Sequence, residues 1–381
     1  MNIFYAENRA GMLPVSGGSQ ESARRRKGMK LEKLRNLFGQ LDIDGILVTS
    51  SANLQYMTGF TGSSGLAVIS KERAAFITDF RYTEQAKAQV KGFEIIEHGG
   101  SLIQTAADTI LEYGIKKLGF EQNSLTYGTY ASYQAVLQEA EMVPVADSVE
   151  KLRLIKSSEE IKILEEAAKI ADDAFEHILT FIKPGISEIS VANELEFYMR
   201  RQGADGSSFD MIVASGVRSS LPHGVASGKL IEKGDLVTLD FGAYYKGYCS
   251  DITRTVAVGE PSDKLKEIYQ VVYDAQALGV SHIKPGMTGK EADALTRDHI
   301  TAKGYGQYFG HSTGHGFGME VHESPGLSFR SSAVLEPGMA VTVEPGIYIP
   351  EVGGVRIEDD IIITEDGNRT ITHSPKELII L

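Results

Sequence analysis

The chain has 381 residues, of which 42% are hydrophobic and 23% are charged. This length and composition suit a folded protein of two domains, and they exclude a single small module or a disordered polymer. The net charge of −13 repels phosphate backbones and anionic membrane surfaces, so we expect no nucleic-acid partner and no membrane partner. The single cysteine, Cys249, excludes an intrachain disulfide and a cysteine-based metal cage, which suits a reducing cytoplasm.

The first 28 residues differ from the rest of the chain. They contain five basic and two acidic residues and show no apolar periodicity. They also lack the apolar core of about 7–15 residues that a signal peptide requires. We therefore interpret residues 1–28 as a disordered leader or tag and place the start of the folded protein at Met29, without deciding whether the leader is native.

Residues 29–150 alternate between short β-rich runs and segments with helical spacing. Helices are predicted over 101–113 and 126–138. Such alternation predicts an α/β domain. The strands are predicted over residues 45–49, 66–69, 75–78, 93–96 and 117–120.

Residues 147–156 fit a linker, and a second domain is predicted over 151–381. The pattern Ser157-Ser-Glu-Glu160 is a capping box, which predicts the start of a long amphipathic helix. Lys183-Pro-Gly185 ends that helix.

The second domain contains an internal repeat. Ile182-Lys-Pro-Gly185 recurs as Ile283-Lys-Pro-Gly286, an offset of 101 residues. Residues 232–244 match residues 336–348 at an offset of 104, and a carboxylate occupies the same place in each copy, Asp240 and Glu344. Two matches in the same order favour a duplication over chance, so we expect two related α+β halves.

Each copy also offers a second carboxylate in its next strand-like run, Asp251 and Glu358. If the first hairpin turns at Tyr245 and Lys246, Asp240 and Asp251 face each other across it. Apposed carboxylates repel, and a divalent cation would offset the repulsion. The alternative for the first copy alone is a pair of ordinary exposed acids.

Three of the nine histidines fall within twelve residues, at positions 311, 315 and 322. His311 and His315 have the spacing of a helical zinc pair, but the glycines among them disfavour a helix. An extended, closely packed segment is the better interpretation. A single histidine is more often a hydrogen-bonded core residue, whereas this cluster beside matched carboxylates favours metal ligation.

Together these residues resemble the proline-specific peptidases of the creatinase-like "pita-bread" superfamily, namely Xaa-Pro aminopeptidase and Xaa-Pro dipeptidase (prolidase). The resemblance extends from about Met29 to Leu381. It implies an α+β protein with a creatinase-like N-terminal domain over 29–150 and a catalytic pita-bread domain over 151–381. It also implies a homodimer, a cytoplasmic location and Xaa-Pro peptides as substrates.

The resemblance further implies a centre of two divalent ions. Asp251 and Glu358 would bridge the ions. A site of four carboxylates and one imidazole favours Mn²⁺, although Co²⁺ or Zn²⁺ is accepted in the family. The five implied ligands are Asp240, Asp251, His315, Glu344 and Glu358.

Catalytic roles are implied in the same way. A metal-activated hydroxide would attack the scissile carbonyl, with Glu344 moving the proton and His322 stabilising the oxyanion. His223 would contact the substrate from the opposite wall. Arg356 would either hold a substrate carboxylate or form a structural ion pair behind the ligands. His311 completes the outer-shell and substrate-contacting set.

Other functions of the same fold are distinguishable. A non-catalytic binding protein would have lost the ligands, methionine aminopeptidase generally lacks the N-terminal domain, and creatinase lacks these ligands.

Some prolidases carry an arginine after the His-Glu-x-Pro segment that clamps the dipeptide carboxylate. Here position 326 is glycine and the next arginine is Arg330, so we expect cleavage of dipeptides and longer peptides, with aminopeptidase activity modestly favoured.

Overall fold

The computed structural model describes residues 18–381, with side chains described from residue 29 onward. Residues 1–17 of the expected leader lie outside the described residues. Residues 18–28 belong to a helix over Gly18–Leu41, so the expectation of a disordered leader is wrong for them. Whether the leader is native stays open to test. The described residues form two compact units divided between Leu152 and Arg153, two residues after the boundary predicted at residue 150. No helix among the described residues is long and apolar enough to cross a bilayer.

The first unit alternates strands and helices. Its elements are α1 (Gly18–Leu41), β1 (Gly45–Val48), α2 (Ser51–Thr58), β2 (Leu66–Ser70), β3 (Ala74–Thr78), α3 (Thr83–Gln89), β4 (Glu94–Glu97), α4 (Leu102–Glu112), β5 (Lys117–Glu121), α5 (Tyr127–Val136), β6 (Glu141–Val145) and α6 (Glu150–Arg153), the last of which ends at the division.

The six strands of this unit form one mixed sheet in the order β4-β3-β2-β1-β5-β6. Five of them are the predicted strands, with ends shifted by at most one residue. Strand β6 was not predicted; it contains Pro144 and lies at the edge of the sheet. Proline cannot donate to a neighbouring strand, so it is tolerated at an edge and hides the strand signal.

The second unit consists of two helix pairs and the strands that follow them. Its elements are α7 (Ser158–Leu179), α8 (Glu188–Arg201), β7 (Gly206–Ser207), β8 (Ile212–Ser215), β9 (Leu236–Phe241), β10 (Ala243–Tyr245), β11 (Tyr248–Cys249), β12 (Ile252–Ala257), α9 (Asp263–His282), α10 (Gly289–Ala302), β13 (Gly314–Gly316), β14 (Glu323–Leu327), β15 (Ala340–Val343), β16 (Gly346–Ile349), β17 (Gly353–Arg356), β18 (Asp359–Ile363) and β19 (Asn368–Thr370).

The predicted repeat appears as two similar halves of this unit, residues 158–257 and 263–370. In the first half, α7 and α8 precede the sheet β12-β9-β8, and in the second, α9 and α10 precede the sheet β14-β13-β15-β18-β19. Helices α8 and α10 start at the equivalent N-caps Ser187 and Thr288. The expected α+β class with two related halves is confirmed.

The predicted start of α7 is also correct. Ser157 accepts a hydrogen bond from the Glu160 amide, and the Glu160 carboxylate accepts one from the Ser157 amide. The buried face of α7 includes Leu164, Ala171 and Phe175, which lie among the buried apolar side chains of the unit.

The hairpin register differs from the expectation. The turn contains Lys246 and Gly247, whose φ angles are 50° and 84°, and Tyr245 pairs with Tyr248. Positive φ at both turn residues is the geometry of a tight hairpin that matches strand twist. Asp240 consequently lies opposite Thr253 rather than opposite Asp251. The prediction that the two aspartates face each other directly is wrong.

Candidate metal centre

A cavity of about 540 Å³ lies within the second unit. Its walls include apolar side chains such as Phe209, Ile212 and Val321 beside the charged groups. The structure thus brings all nine residues predicted for the site to one cavity, namely Asp240, Asp251, His315, Glu344, Glu358, His223, His311, His322 and Arg356.

The carboxylates reach the cavity from strand ends in both halves. Asp240 lies on β9, and Asp251 immediately precedes β12. Glu344 follows β15, and Glu358 directly precedes β18. Because the strands are hydrogen-bonded and buried, the backbone at these positions is fixed by the sheets rather than by flexible loops.

His315 lies on β13, in the extended and glycine-rich segment that the sequence predicts. A Cβ atom on Gly314 would collide with the Thr342 carbonyl, so only glycine allows β13 to approach β15 this closely. The His315 Nδ1 atom lies 3.1 Å from the Gly316 carbonyl, which can only accept a hydrogen bond. Nδ1 therefore carries the proton, and the lone pair of Nε2 faces the carboxylates.

The His315 Nε2 atom lies 3.3 Å from Glu344 Oε1 and 3.7 Å from Asp251 Oδ2. Asp251, His315 and Glu358 each offer one ligand atom, and these atoms lie within 4.8 Å of one another. Such spacing allows a single cation to contact all three side chains.

Burial makes the acidic groups hard to ionise. Burial, followed by the charge of Glu358, raises the pKa of Asp251 well above its usual range. Burial and then the charge of Glu344 do the same to the pKa of Glu358. Burial also raises the pKa of Glu344 to about 8. These carboxylates need a cationic partner to hold their charge at neutral pH.

Each half supports a carboxylate of the other half. Arg356, on β17 in the second half, donates from Nη2 to Asp240 in the first half and is only 4% exposed. Thr253, on β12 in the first half, donates from Oγ1 to Glu358 Oε2 at 2.6 Å. Thr253 also accepts a hydrogen bond from Arg356 Nε at 3.0 Å, so the two supports are linked.

His311 contacts Tyr348, which was not predicted as a site residue. Its Nδ1 atom lies 2.8 Å from the Ser312 carbonyl, and its Nε2 atom lies 2.8 Å from the Tyr348 hydroxyl. The Tyr348 hydroxyl also accepts a hydrogen bond from Arg356 Nη1 at 2.8 Å. Burial lowers the pKa of His311 to about 3, so its imidazole is neutral. The only hint of Tyr348 in the sequence is that the repeat aligns it with Tyr244.

The remaining predicted residues differ in their environment. The His322 ring lies 4.4 Å from the His315 ring, edge to face, and His223 lines the same cavity. Gly326 lines the cavity too, and no described atom lies within 4 Å of the position that a Cβ would take. Arg330 is exposed, lies over the Phe329 ring and is not among the described residues that line the cavity.

The donor set fits a divalent cation. The Asp251 Oδ1 atom is buried and has no hydrogen-bond partner among the described residues, and the same is true of Asp360 Oδ1. Asp360 uses its other oxygen to accept a hydrogen bond from the Asp251 amide at 2.9 Å. Buried carboxylate oxygens and a neutral imidazole nitrogen that face one another are the ligands of a hard or borderline metal ion.

Fold and centre together define a metal-dependent hydrolase with a creatinase-type N-terminal domain. The model of metallopeptidase family M24 matches residues 162–365, and the model of the creatinase/prolidase N-terminal domain matches residues 30–155. The chain belongs to metallopeptidase family M24. The expected creatinase-like and pita-bread domains are therefore confirmed.

Individual relatives cover nearly the whole chain. The chain is 87% identical to a Bacillus subtilis (strain 168) protein named "uncharacterized peptidase YqhT", over 93% of this chain and 100% of that protein. A solved Xaa-Pro dipeptidase from Bacillus anthracis is 67% identical with a TM-score of 0.92, over 93% of this chain and 100% of that one. An X-Pro aminopeptidase structure from Thermotoga maritima is 40% identical with a TM-score of 0.85, over 89% and 98%.

Proposed function

We propose that this enzyme is a metal-dependent exopeptidase that hydrolyses the bond between an N-terminal residue and a following proline. The observation that carries the proposal is the gathering of four carboxylates and a neutral histidine nitrogen in one cavity, bordered by three further histidines and an arginine. The Bacillus anthracis relative is named an Xaa-Pro dipeptidase and the Thermotoga maritima relative an X-Pro aminopeptidase, and these names support the choice of substrate.

Asp240, Asp251, His315, Glu344 and Glu358 would hold two divalent ions. Four carboxylates and one imidazole form an oxygen-rich set, so Mn²⁺ is the expected metal, with Co²⁺ or Zn²⁺ as substitutes. When bound, the ions supply the Lewis acidity that activates water and polarises the scissile carbonyl.

The protein groups around the ligands perform the remaining steps. Glu344 carries the proton from the attacking water to the proline nitrogen, which must be protonated to leave. His322, beside His315, donates to the oxyanion that forms on the scissile carbonyl. His223 contacts the substrate from the other wall of the cavity. His311 forms part of the substrate-contacting wall.

Arg356 has the role of an ion-pair partner. Its guanidinium donates to Asp240, Thr253, Tyr348 and the Pro222 carbonyl. These contacts leave little donor capacity for a substrate carboxylate. Of the two roles implied by the sequence, we therefore propose the structural ion pair that orients Asp240.

The direct test is hydrolysis by the Mn²⁺-loaded full-length protein of four peptides: Ala-Pro, Ala-Pro-Ala, Ala-Ala and Met-Ala. Cleavage restricted to the two proline peptides, abolished by a chelator and restored by Mn²⁺, is the expected result. Cleavage of Met-Ala without cleavage of Ala-Pro would replace the proposal by a methionine aminopeptidase. No hydrolysis of any peptide by the loaded protein would indicate a binding protein.

Peptide length is a second question. The open space beside Gly326 favours acceptance of longer peptides as well as dipeptides, with aminopeptidase activity modestly preferred. A strict Xaa-Pro dipeptidase is the alternative, favoured by the name of the Bacillus anthracis relative. A homodimer and a cytoplasmic location stay predictions.

A further inference from the structure

A partly buried ion pair on helix α10 contacts the segment that carries His311. Asp293 is 1% exposed, and Arg297 lies one helical turn further on. Arg297 donates from Nε at 2.6 Å and from Nη2 at 2.8 Å to the two oxygens of Asp293. This bidentate geometry fixes the plane of the guanidinium.

The remaining hydrogen bonds of the pair are formed with residues 309–313. Arg297 donates from Nη1 to the Phe309 carbonyl at 3.0 Å and from Nη2 to the His311 carbonyl at 2.7 Å. Asp293 Oδ1 accepts from the Thr313 amide at 3.0 Å and from its hydroxyl at 2.9 Å. The guanidinium carbon also lies 4.3 Å from the centre of the Phe309 ring.

The pair therefore holds the backbone at Phe309 before His311, at Thr313 after it, and at the His311 carbonyl itself. The His311 imidazole then has one orientation in which Nδ1 donates to the Ser312 carbonyl and Nε2 accepts from Tyr348. A shift of the segment would break at least one of these contacts, because a hydrogen bond weakens steeply with angle and distance.

We propose that Asp293 and Arg297 are positioning residues that fix the tautomer and orientation of His311 in the substrate-contacting wall of the cavity. The inference deepens the proposed function and rests on it. An ion pair of this spacing on an exposed helix contributes little. Here the carboxylate is buried and the Arg297 side chain is 22% exposed. The fork-shaped donor set of Arg297 also spans two carbonyls and a carboxylate, which a lysine ammonium cannot do.

The chain offers a matched control on helix α8. Arg200 pairs with Glu196 at the same spacing and donates to the Asp205 carbonyl beyond the helix. This pair is more exposed, with side chains 53% and 32% exposed. Arg200→Lys and Arg297→Lys thus make the same chemical change, and only the second touches the His311 segment.

The first measurement is a double-mutant cycle on kcat/KM for Ala-Pro, at a temperature where all variants are folded. We expect Arg297→Lys to lower kcat/KM by about 10- to 100-fold, the range for a group that orients a site residue. In the His311→Ala background the same change should have an effect below about threefold, since coupled residues are not additive. Arg200→Lys should stay within about twofold in both backgrounds.

An equal loss in both backgrounds, or an equal loss in Arg200→Lys, would mean that the ion pair acts only through general stability. The Thr313 carbonyl also accepts a hydrogen bond from the Glu344 amide at 2.7 Å. Loss of bound metal in Arg297→Lys would therefore show that the pair acts through Glu344, and it would overturn the role assigned to His311.

A second measurement does not depend on catalysis. Nitrogen-15 NMR of the histidine side chains at neutral pH, with His311 assigned by difference from His311→Ala, should show a single Nδ1-protonated tautomer in the unaltered protein. We expect Arg297→Lys to give a mixture of tautomers. An unchanged His311 signal would refute the positioning role. If the unaltered protein failed to cleave Xaa-Pro peptides, the proposed function would be wrong. The NMR signal of His311 would still test whether Arg297 fixes its tautomer.

Discussion

The two halves of the second unit share a fold but place their carboxylates differently. In the first half, Asp240 lies opposite Thr253, so Asp251 is only its diagonal neighbour. In the second half, Val343 pairs with Asp359. One further residue along that register puts Glu344 directly opposite Glu358. The two strand pairs are equivalent in the repeat, but the acids of the first half are diagonal neighbours and those of the second half lie directly opposite each other.

The turns account for only part of the difference. The first hairpin closes through Lys246 and Gly247, whereas the second closes between β16 and β17, where Glu351 and Gly353 both have positive φ. The second connection is one residue longer, 350–352 against 246–247. Glu358 lies 14 residues after Glu344, whereas Asp251 lies 11 residues after Asp240. The remaining two residues of this difference are a shift of the acid along its own strand. The helix starts, which do not depend on these turns, keep their offset at Ser187 and Thr288. Duplication therefore preserved the scaffold while the ligand positions diverged.

The halves also depend on each other. Arg356 of the second half holds Asp240 of the first, and Thr253 of the first holds Glu358 of the second. Neither half alone contains both a carboxylate pair and its supports. The comparison predicts that damage to either half empties the whole centre.

The largest effect should come from neutralising one proposed bridging ligand in each half. We expect Asp251→Asn and Glu358→Gln each to lower kcat/KM by more than about 10³-fold, beyond the loss of one oxyanion donor. A neutral amide cannot replace the charge that binds a cation. Metal content by elemental analysis should fall in both variants. Asp298→Asn, at an exposed position on α10, is the control.

Full metal content with near-normal turnover in one of the two variants would show that the halves are unequal and that the assignment of that ligand is wrong.

The next effect concerns His322, which belongs to the second half. We expect His322→Ala to retain its metal and to lose roughly 10²–10³ in kcat, the scale for one oxyanion donor. The ring lies beside His315 without a place in the carboxylate cluster. His282→Ala, at the exposed end of α9, should have no effect. A parallel fall in metal content would make His322 a ligand instead.

The repeat pointed to the four carboxylates, and the clustering of histidines pointed to His311, His315 and His322. His223 and Arg356 were named only through the resemblance to a known family. The sequence did not reveal the hairpin register, since lysine rarely adopts positive φ and Lys246 does so here. Thr253 and Tyr348 were also not predicted as site residues. Threonine and tyrosine are ordinary strand residues, so only the folded structure shows that their hydroxyls contact Glu358 and Arg356.

The metal-free protein should lose stability as the pH rises. The pKa of Glu344 is raised to about 8 in the folded state by burial, so the folded protein binds more protons than the unfolded chain above about pH 4.5. Stability is then fully present below that pH and is lost as the pH rises toward 8, by roughly 1 kcal/mol per pH unit for each such proton. The raised pKa values of Asp251 and Glu358 act in the same direction.

Denaturant unfolding of the chelator-treated protein between pH 5 and 8 measures this slope. Glu344→Gln should reduce it, and Mn²⁺ should remove it, because bound cations stabilise the ionised carboxylates. If the metal-free protein became more stable between pH 5 and 8, the carboxylates shared by the two halves would not be buried without a compensating charge.

The smallest effect concerns peptide length, and it depends on Gly326 in the second half. No described atom lies near the position of a Cβ there, and Arg330 stacks on Phe329 instead of lining the cavity. A dipeptide carboxylate therefore gains little over a longer chain. We expect kcat/KM for Ala-Pro and Ala-Pro-Ala to differ by less than about tenfold, which is about 1.4 kcal/mol. Arg330→Ala should leave their ratio unchanged.

Gly326→Arg introduces a guanidinium into this open space, and it should shift the ratio toward Ala-Pro because a bidentate donor recognises a free carboxylate. Gly326→Gln is the control for size without charge. If Gln shifts the ratio as far as Arg, a longer peptide is excluded by bulk alone. If the unaltered enzyme already favours Ala-Pro by more than tenfold and Arg330→Ala removes that preference, Arg330 reaches the substrate, and the open wall at Gly326 does not determine peptide length.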